Sequence, residues 1–278
     1  MARCEVCYRH CQLKEGQIGF CKARIAKDGK VVADNYGMIT SLALDPIEKK
    51  PLRRFCPGSK VISVGSYGCN LRCPFCQNYE ISWSDEVEYV ARHARYLAPE
   101  ELVRIAKEYV SKGNIGVAFT YNEPLVGYEY VRDCGKLIHE AGLKNVLVSN
   151  GSVELPILSE IIPYIDAMNI DLKGFSENYY KKLLKADRDQ VLDFIREASR
   201  HCHIEVTTLI IPDENDSVEE MKELSSWLAD IDRNIPLHVS RFFPTFKMTD
   251  RGPTPVKKVY ELADVAREKL EYVYTGNC

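Results

Sequence analysis

The chain shows no excess of basic residues: 37 lysines and arginines stand against 40 aspartates and glutamates, a formal charge of −3 over 278 residues. A nucleic-acid partner, which calls for a basic face, is therefore not implied. No apolar run approaches the roughly 20 residues of a membrane span. The N-terminal stretch carries Cys4, Arg9 and Lys14 where a signal peptide would have its apolar core. These absences predict a soluble, cytoplasmic protein with neither nucleic acid nor membrane as partner. Histidine is sparse as well, six in all, and none lies within ten residues of the central cysteine group. What the chain does have is 45% apolar residues, which suits one sizeable α/β core with a small appendage, and eleven cysteines. The cysteines are bunched as C-x2-C and C-x3-C rather than spread, which reads as metal ligation in a reducing compartment.

The central group is Gly68-Cys69-Asn70-Leu71-Arg72-Cys73-Pro74-Phe75-Cys76-Gln77-Asn78, directly after the apolar run Val61-Ile62-Ser63-Val64. It sets Cys69, Cys73 and Cys76 at C-x3-C-x2-C. Three thiolates on one short loop can hold three irons of a [4Fe–4S] cube and leave the fourth iron open to a cofactor. The competing readings are a zinc knuckle, which wants a fourth Cys or His close by, and a disulfide loop.

A second group lies at Cys4, Cys7, Cys11 and Cys21, four thiols within eighteen residues. They can close a tetrahedral metal site, and a short polar segment has little else to hold it together. Zinc, placed ahead on compactness, and a second iron–sulfur cluster both fit; His10 could replace one ligand, and free thiols in a mobile arm are the bland alternative. Cys56 reads as structural. Lys30–Ala33 and 38–43 read as two small strands joined at Asn35-Tyr36-Gly37, and Pro57-Gly58 marks a boundary. The expected domains are thus a Cys-rich module over 1–59 and a main domain over 60–278.

From residue 60 a short β-branched run and an amphipathic helix alternate. Strands are predicted at 60–66, 115–121, 144–149, 165–171, 203–211 and 235–241, and helices near 99–112, 127–141, 153–162, 188–200, 217–231 and 255–269. Pro99 starts a helix and Gly113 stops it, and Ser217 with Glu220 makes a capping box. This rhythm demands a parallel sheet with right-handed crossovers. Six units predict an α/β fold built as an open, partial (β/α)6 barrel of the TIM-like kind, with its chemistry at the C-terminal strand ends. Polar residues do collect there: Thr120-Tyr121-Asn122-Glu123-Pro124, Ser149-Asn150-Gly151, Asp171-Leu172-Lys173 and His238-Val239-Ser240-Arg241.

The cysteine loop, with its aromatic residue before the last Cys, resembles that of the radical S-adenosylmethionine (SAM) enzymes. The Asn-Glu-Pro, Ser-Asn-Gly and Asp-Leu-Lys segments resemble those of glycyl-radical enzyme activases such as that of pyruvate formate-lyase. A closer resemblance is to the radical SAM member of the AmmeMemoRadiSam system, carried by Cys4-x2-Cys7-x3-Cys11, Gly19-x-Cys21, the run Asp45 to Leu52, Cys76-Gln77-Asn78, Thr120 to Pro124 and His238 to Phe242. The resemblance implies a [4Fe–4S] cluster on Cys69, Cys73 and Cys76, reductive cleavage of SAM to a 5′-deoxyadenosyl radical, and hydrogen abstraction from an unidentified substrate. It implies Phe75 against the adenine, Asn122 and Glu123 at the SAM amino group, and Ser149 and Asn150 beside them. It further implies Asp171 and Lys173 at the methionine carboxylate and ribose, Thr207 near the carboxylate, and His238 at a ribose hydroxyl. Implied partners are an electron donor such as ferredoxin or flavodoxin and the AmmeMemoRadiSam partner proteins. Val148 departs from the activases, where an Asp helps bind a cation.

No residue beyond the cluster ligands is assigned a catalytic role. Cys134 is expected in the core, His201, Cys202 and His203 at a helix-to-strand junction, His93 and His139 in solvated surroundings, and Tyr179-Tyr180 on a half-buried helix edge. Besides the radical enzyme and the activase, a non-catalytic iron–sulfur electron carrier is the alternative class, but a carrier has no use for the row of polar strand ends.

Overall fold

A computed structural model describes residues 1–278. Eight strands form one sheet: β1 (Ser41–Pro46), β2 (Lys60–Gly65), β3 (Asn114–Phe119), β4 (Lys144–Ser149), β5 (Ala167–Asp171), β6 (His203–Ile210), β7 (Leu237–Arg241) and β8 (Val273–Gly276). They lie in sequence order across the sheet, from β1 at one edge to β8 at the other. All neighbours are parallel except β1, which runs antiparallel to β2. The two edges do not pair, so the barrel is unclosed.

The six predicted strands are all present. Two members were not foreseen. The four-residue β8 extends the sheet beyond β7, and β1 belongs to the sheet rather than to a separate N-terminal unit. The expected pairing around Asn35-Tyr36-Gly37 is replaced by others: Lys30–Ala33 pairs with Arg24–Lys27 about an Asp28-Gly29 turn, and Met38–Ile39 pairs with Arg95–Tyr96. The boundary expected at residue 59 thus falls between β1 and β2, which are hydrogen-bonded neighbours along their full lengths.

Six helices follow the strands: α1 (Pro99–Glu108), α2 (Tyr128–Glu140), α3 (Leu155–Ile161), α4 (Arg188–Ala198), α5 (Val218–Asp232) and α6 (Val256–Arg267). Pro99 occupies the first turn of α1, where no backbone N–H is needed, and Gly113 closes the following turn at φ +89. Ser217 caps α5 by accepting from Glu220 N at 3.1 Å. The other half of the capping box is absent, because the Glu220 carboxylate accepts from Phe175 N and Ser176 N instead. The helices bury their apolar stripes against the outer face of the sheet, where Val117, Phe119, Leu147, Met168, Ile170 and Val206 join them in one continuous core. Cys134 is fully buried in that core, as expected.

The inner face carries smaller side chains at its N-terminal end, namely Val61, Ala118, Val146 and Ala167. Alternation along each strand puts them opposite the helix-facing set. Ile47 and Leu52, fully buried, fill this space, with Phe55 packed against them. The segment 47–55 therefore plugs the bottom of the barrel. Its backbone is held by polar residues of the inner face: Asn169 Nδ2 donates to Pro51 O at 2.9 Å, and the Glu205 carboxylate accepts from Arg53 N and Arg54 N at 2.9 and 2.7 Å. With the bottom filled, the open space of the barrel lies at the C-terminal strand ends.

Candidate active site

The loop after β2 carries the three central cysteines, and its shape depends on local backbone demands. Gly68 sits at φ +93, and a Cβ there would stand 2.5 Å from Ala23 Cβ and 2.7 Å from Cys21 O, so only glycine fits. Asn122 locks this turn from the next strand end: its Oδ1 accepts from Ser66 N at 3.0 Å, and its Nδ2 donates to Gly68 O at 3.0 Å. Arg72 braces the loop from within, donating to Cys69 O and Leu71 O at 3.0 and 2.7 Å and to Phe20 O, with its guanidinium over the Phe20 ring. Trp83 Nε1 donates to Cys73 O at 3.2 Å, and Lys247 N donates to Pro74 O at 2.9 Å.

Cys69, Cys73 and Cys76 face one cavity of about 460 Å³ at the C-terminal ends of the strands. All three thiols are reduced, and no fourth Cys and no His lines the cavity. The set suits a cube of iron and sulfide with one iron left to another ligand. Burial pushes the thiols up, Cys73 to about 12, so their thiolate forms need nearby positive charge, which bound iron provides. No group of three or more His, Cys, Asp or Glu side chains in the chain is arranged to hold a single metal ion, these three included.

The remaining walls come from the strand ends. Glu123 is buried, its Oε1 accepting from Ser149 Oγ at 2.9 Å and Leu125 N at 3.0 Å, its Oε2 from Asn150 N at 2.7 Å. Burial raises its pKa to about 7 although these donors oppose the shift. Asn150 Nδ2 donates to Asn70 Oδ1 at 3.0 Å and stands 3.7 Å from Cys69 Sγ, which ties the end of β4 to the cysteine loop. Asp171 and Lys173 form an ion pair of 2.8 Å, and both line the cavity. Burial alone would lower the Lys173 pKa, but Asp171 and Cys73 outweigh it and hold the ammonium charged. Phe75 is buried along the wall, and Thr207 exchanges hydrogen bonds with Asn169 at 2.9 and 3.0 Å.

The cavity thus gathers Phe75, Asn122, Glu123, Ser149, Asn150, Asp171, Lys173 and Thr207 with the three cysteines. His238 is not among its walls. It lies near the start of β7, where its Nε2 meets Glu205 Oε2 at 2.6 Å and its ring stacks on Tyr274. A strand that begins at Leu237 puts Ser240 at the cavity, one inward step beyond His238. His203, expected at a surface junction, also meets Glu205, at 3.0 Å. Tyr179 and Tyr180 are buried rather than half-buried, and Tyr180 Oη accepts from Lys173 N.

Two wall residues, Lys50 and Asn277, escape a sequence reading. Lys50 is buried, paired with Asp45 at 3.0 Å and 4.7 Å from the Tyr121 ring centre, yet it stands in a charged, proline-bounded run that looks like a surface loop. Tyr121 donates to Asp45 at 2.8 Å. Asn277 reaches the cavity only through the unforeseen β8.

Cys4, Cys7, Cys11 and Cys21 line a second, narrow cavity with Arg24, Phe20 and Asn70. His10 is not part of it; its ring nitrogens face Glu5 and Glu154. Two larger clefts lie elsewhere, one of about 580 Å³ lined by Cys202, His203, Asp230 and Asp232, the other of about 680 Å³ beside Ile18, and neither is lined by a cysteine of the two groups.

A family model described as the radical SAM superfamily matches residues 63–225. An uncharacterized protein of Methanocaldococcus jannaschii is 42% identical over 280 residues, covering 99% of this chain and 81% of that one. The pyruvate formate-lyase 1-activating enzyme of Escherichia coli K12 is 21% identical over 186 residues, 64% of this chain and 72% of its own. Among solved structures, a domain of a pyruvate-formate lyase-activating enzyme from Bacteroides vulgatus superposes with a TM-score of 0.51 at 18% identity, over 58% of this chain and 98% of that one. The last two likenesses speak for the fold alone.

Proposed function

The chain belongs to the radical SAM superfamily, and on that premise we propose that Cys69, Cys73 and Cys76 hold the [4Fe–4S] cluster and that the cavity beside them receives SAM. The observation that carries the reading is the convergence of three reduced thiols, one buried carboxylate and one ion pair on a single cavity. When bound, the cluster supplies the electron that cleaves the SAM sulfonium and starts radical chemistry.

The chain's own residues bind and orient. Glu123 Oε1 is filled by two donors, but Oε2 accepts only from Asn150 N and keeps a lone pair for the SAM ammonium. That ammonium would also draw Glu123 back to its ionised form. Lys173 offers a charged donor to the methionine carboxylate, and Asp171 fixes the Lys173 ammonium while it reaches a ribose hydroxyl. Phe75 gives the adenine an apolar wall. Asn122 and Asn150 keep the cysteine loop in register with the strand ends.

The long motif strings from Cys4 to Phe242 favour the AmmeMemoRadiSam group within the superfamily, and with it a hydrogen abstraction that works with partner proteins and a donor such as ferredoxin or flavodoxin. A glycyl-radical activase is the second reading, supported by the Asn-Glu-Pro, Ser-Asn-Gly and Asp-Leu-Lys segments that resemble those of the activases.

Anaerobic reconstitution should yield a protein that forms 5′-deoxyadenosine and methionine from SAM with dithionite. A triple Cys69/Cys73/Cys76→Ala variant should form none. An unchanged yield in that variant would sink the proposal. A glycine-centred radical signal on an added glycyl-radical enzyme would select the activase reading.

A further inference from the structure

The four N-terminal cysteines have no part in the cavity, yet they are brought together by design of the backbone. Cys4 N donates to Cys11 O at 3.0 Å and His10 N to Cys7 O at 3.1 Å, which folds Cys4 to Cys11 into a closed knuckle. His10 at φ +40 and Lys22 at φ +62 accept left-handed turns that a simple arm would not need. Cys21 arrives from the following loop, and all four thiols, reduced and unpaired, face one narrow enclosed cavity. The module's own apolar cluster is only Ala2, Leu13 and Ala26. So small a core does not by itself hold four loops together, and segments of this kind are usually stapled by disulfides or metal. No disulfide is formed.

We propose that Cys4, Cys7, Cys11 and Cys21 hold a second, thiolate-bound metal centre, zinc or an iron–sulfur cluster, which fastens the N-terminal segment to the cysteine loop of the active site. The sulfurs are not at single-ion spacing, and neither are those of Cys69, Cys73 and Cys76; in each set all the thiols line one cavity. Arg24 sets a guanidinium beside the thiols, its charge shared with the Glu129 carboxylate. It lines the cavity and is fixed by two bonds to Glu129, at 2.8 and 2.9 Å. The fastening has a definite path. Cys21 O accepts from Cys69 N at 3.0 Å, Arg72 bridges Phe20 and Cys69, and Asn70 touches the narrow cavity on one side while its Oδ1 accepts from Asn150 on the other.

Metal analysis of the full chain carrying Cys69/Cys73/Cys76→Ala tests this apart from the active-site cluster and apart from activity. About one zinc per chain, or about four irons with matching sulfide, supports the centre, and the two results name its kind. Adding Cys4→Ser and Cys7→Ser to that background should remove the metal and raise the number of thiols that react with a thiol reagent in the folded protein. Less than about a tenth of a metal per chain before the serine changes, after supply of both zinc and iron with sulfide, overturns the proposal whether or not the serine variant folds.

Discussion

Glu123 and Asp171 are the two carboxylates that line the cavity, one held by three donors and the other by the Lys173 ammonium. Glu123→Gln and Asp171→Asn keep the shape and remove the charge. A hydrogen bond to a charged group is typically worth about 1.5–3 kcal/mol, so each change should weaken SAM binding about 10- to 100-fold while cluster iron is retained. Titration of the reduced, reconstituted protein with SAM, followed by electron paramagnetic resonance, measures the shift, and unchanged midpoints in both variants would mean the pocket is misplaced. At this scale the sequence was legible where a motif sits at the end of a strand whose limits are clear. Asn122, Glu123, Ser149, Asn150, Asp171 and Lys173 all fall at such ends. His238 was misread because nothing in His-Val-Ser-Arg says where the strand starts, and an error of one inward step exchanges a cavity wall for the bottom of the barrel. Lys50 was illegible for a different reason: a buried lysine looks like a surface one until its partner, Asp45, is seen.

The plug formed by residues 47–55 is an element without secondary structure for most of its length, and it does the work of a barrel layer. Leu52 is fully buried against Val61, Ala118, Val146 and Ala167. Leu52→Ala should cost about 2–5 kcal/mol, since the surrounding strands are paired along their lengths and close poorly over a cavity. Urea unfolding of the reconstituted protein would measure it, and a loss under about 1 kcal/mol would mean that the segment is dispensable packing. The six helices could be read from apolar positions that repeat at 3.6 residues, and six of the strands from the short β-branched runs between them, buried on both faces. The plug could not, because Ile47 follows Pro46 and is separated from Leu52 by Glu48-Lys49-Lys50-Pro51, which is the pattern of a polar loop. β1 misled in a similar way: Leu42 is exposed on an edge strand, so the run resembles a surface hairpin. β8 is four residues long and carries too little pattern to register.

For the molecule as a whole, Glu205 is the charged joint of the barrel floor, meeting His203, His238 and the backbone of Arg53 and Arg54. Burial would raise its pKa, but these donors prevail and hold it at about 2, below the ordinary 4.5. A carboxyl lowered by folding adds stability above its unfolded value, and that stability drains away as pH falls from about 4.5 toward about 2. Glu205→Gln lacks the titrating group, so the gap in unfolding free energy between the wild-type chain and this variant should shrink steadily over that window. Urea titrations of both proteins at a series of pH values measure the gap, and one that stays constant would show that the floor is not held by charge. The same floor sets the timetable of biosynthesis. Arg53 reaches Glu205 across 152 positions and Pro51 reaches Asn169 across 118. A ribosome adding roughly 5–20 residues per second makes the plug on the order of ten seconds before its receptor exists. Ile47 and Leu52 must wait uncovered through that interval, so the plug is seated long after it has left the ribosome, and until then it offers a nascent chain's apolar hold to a chaperone.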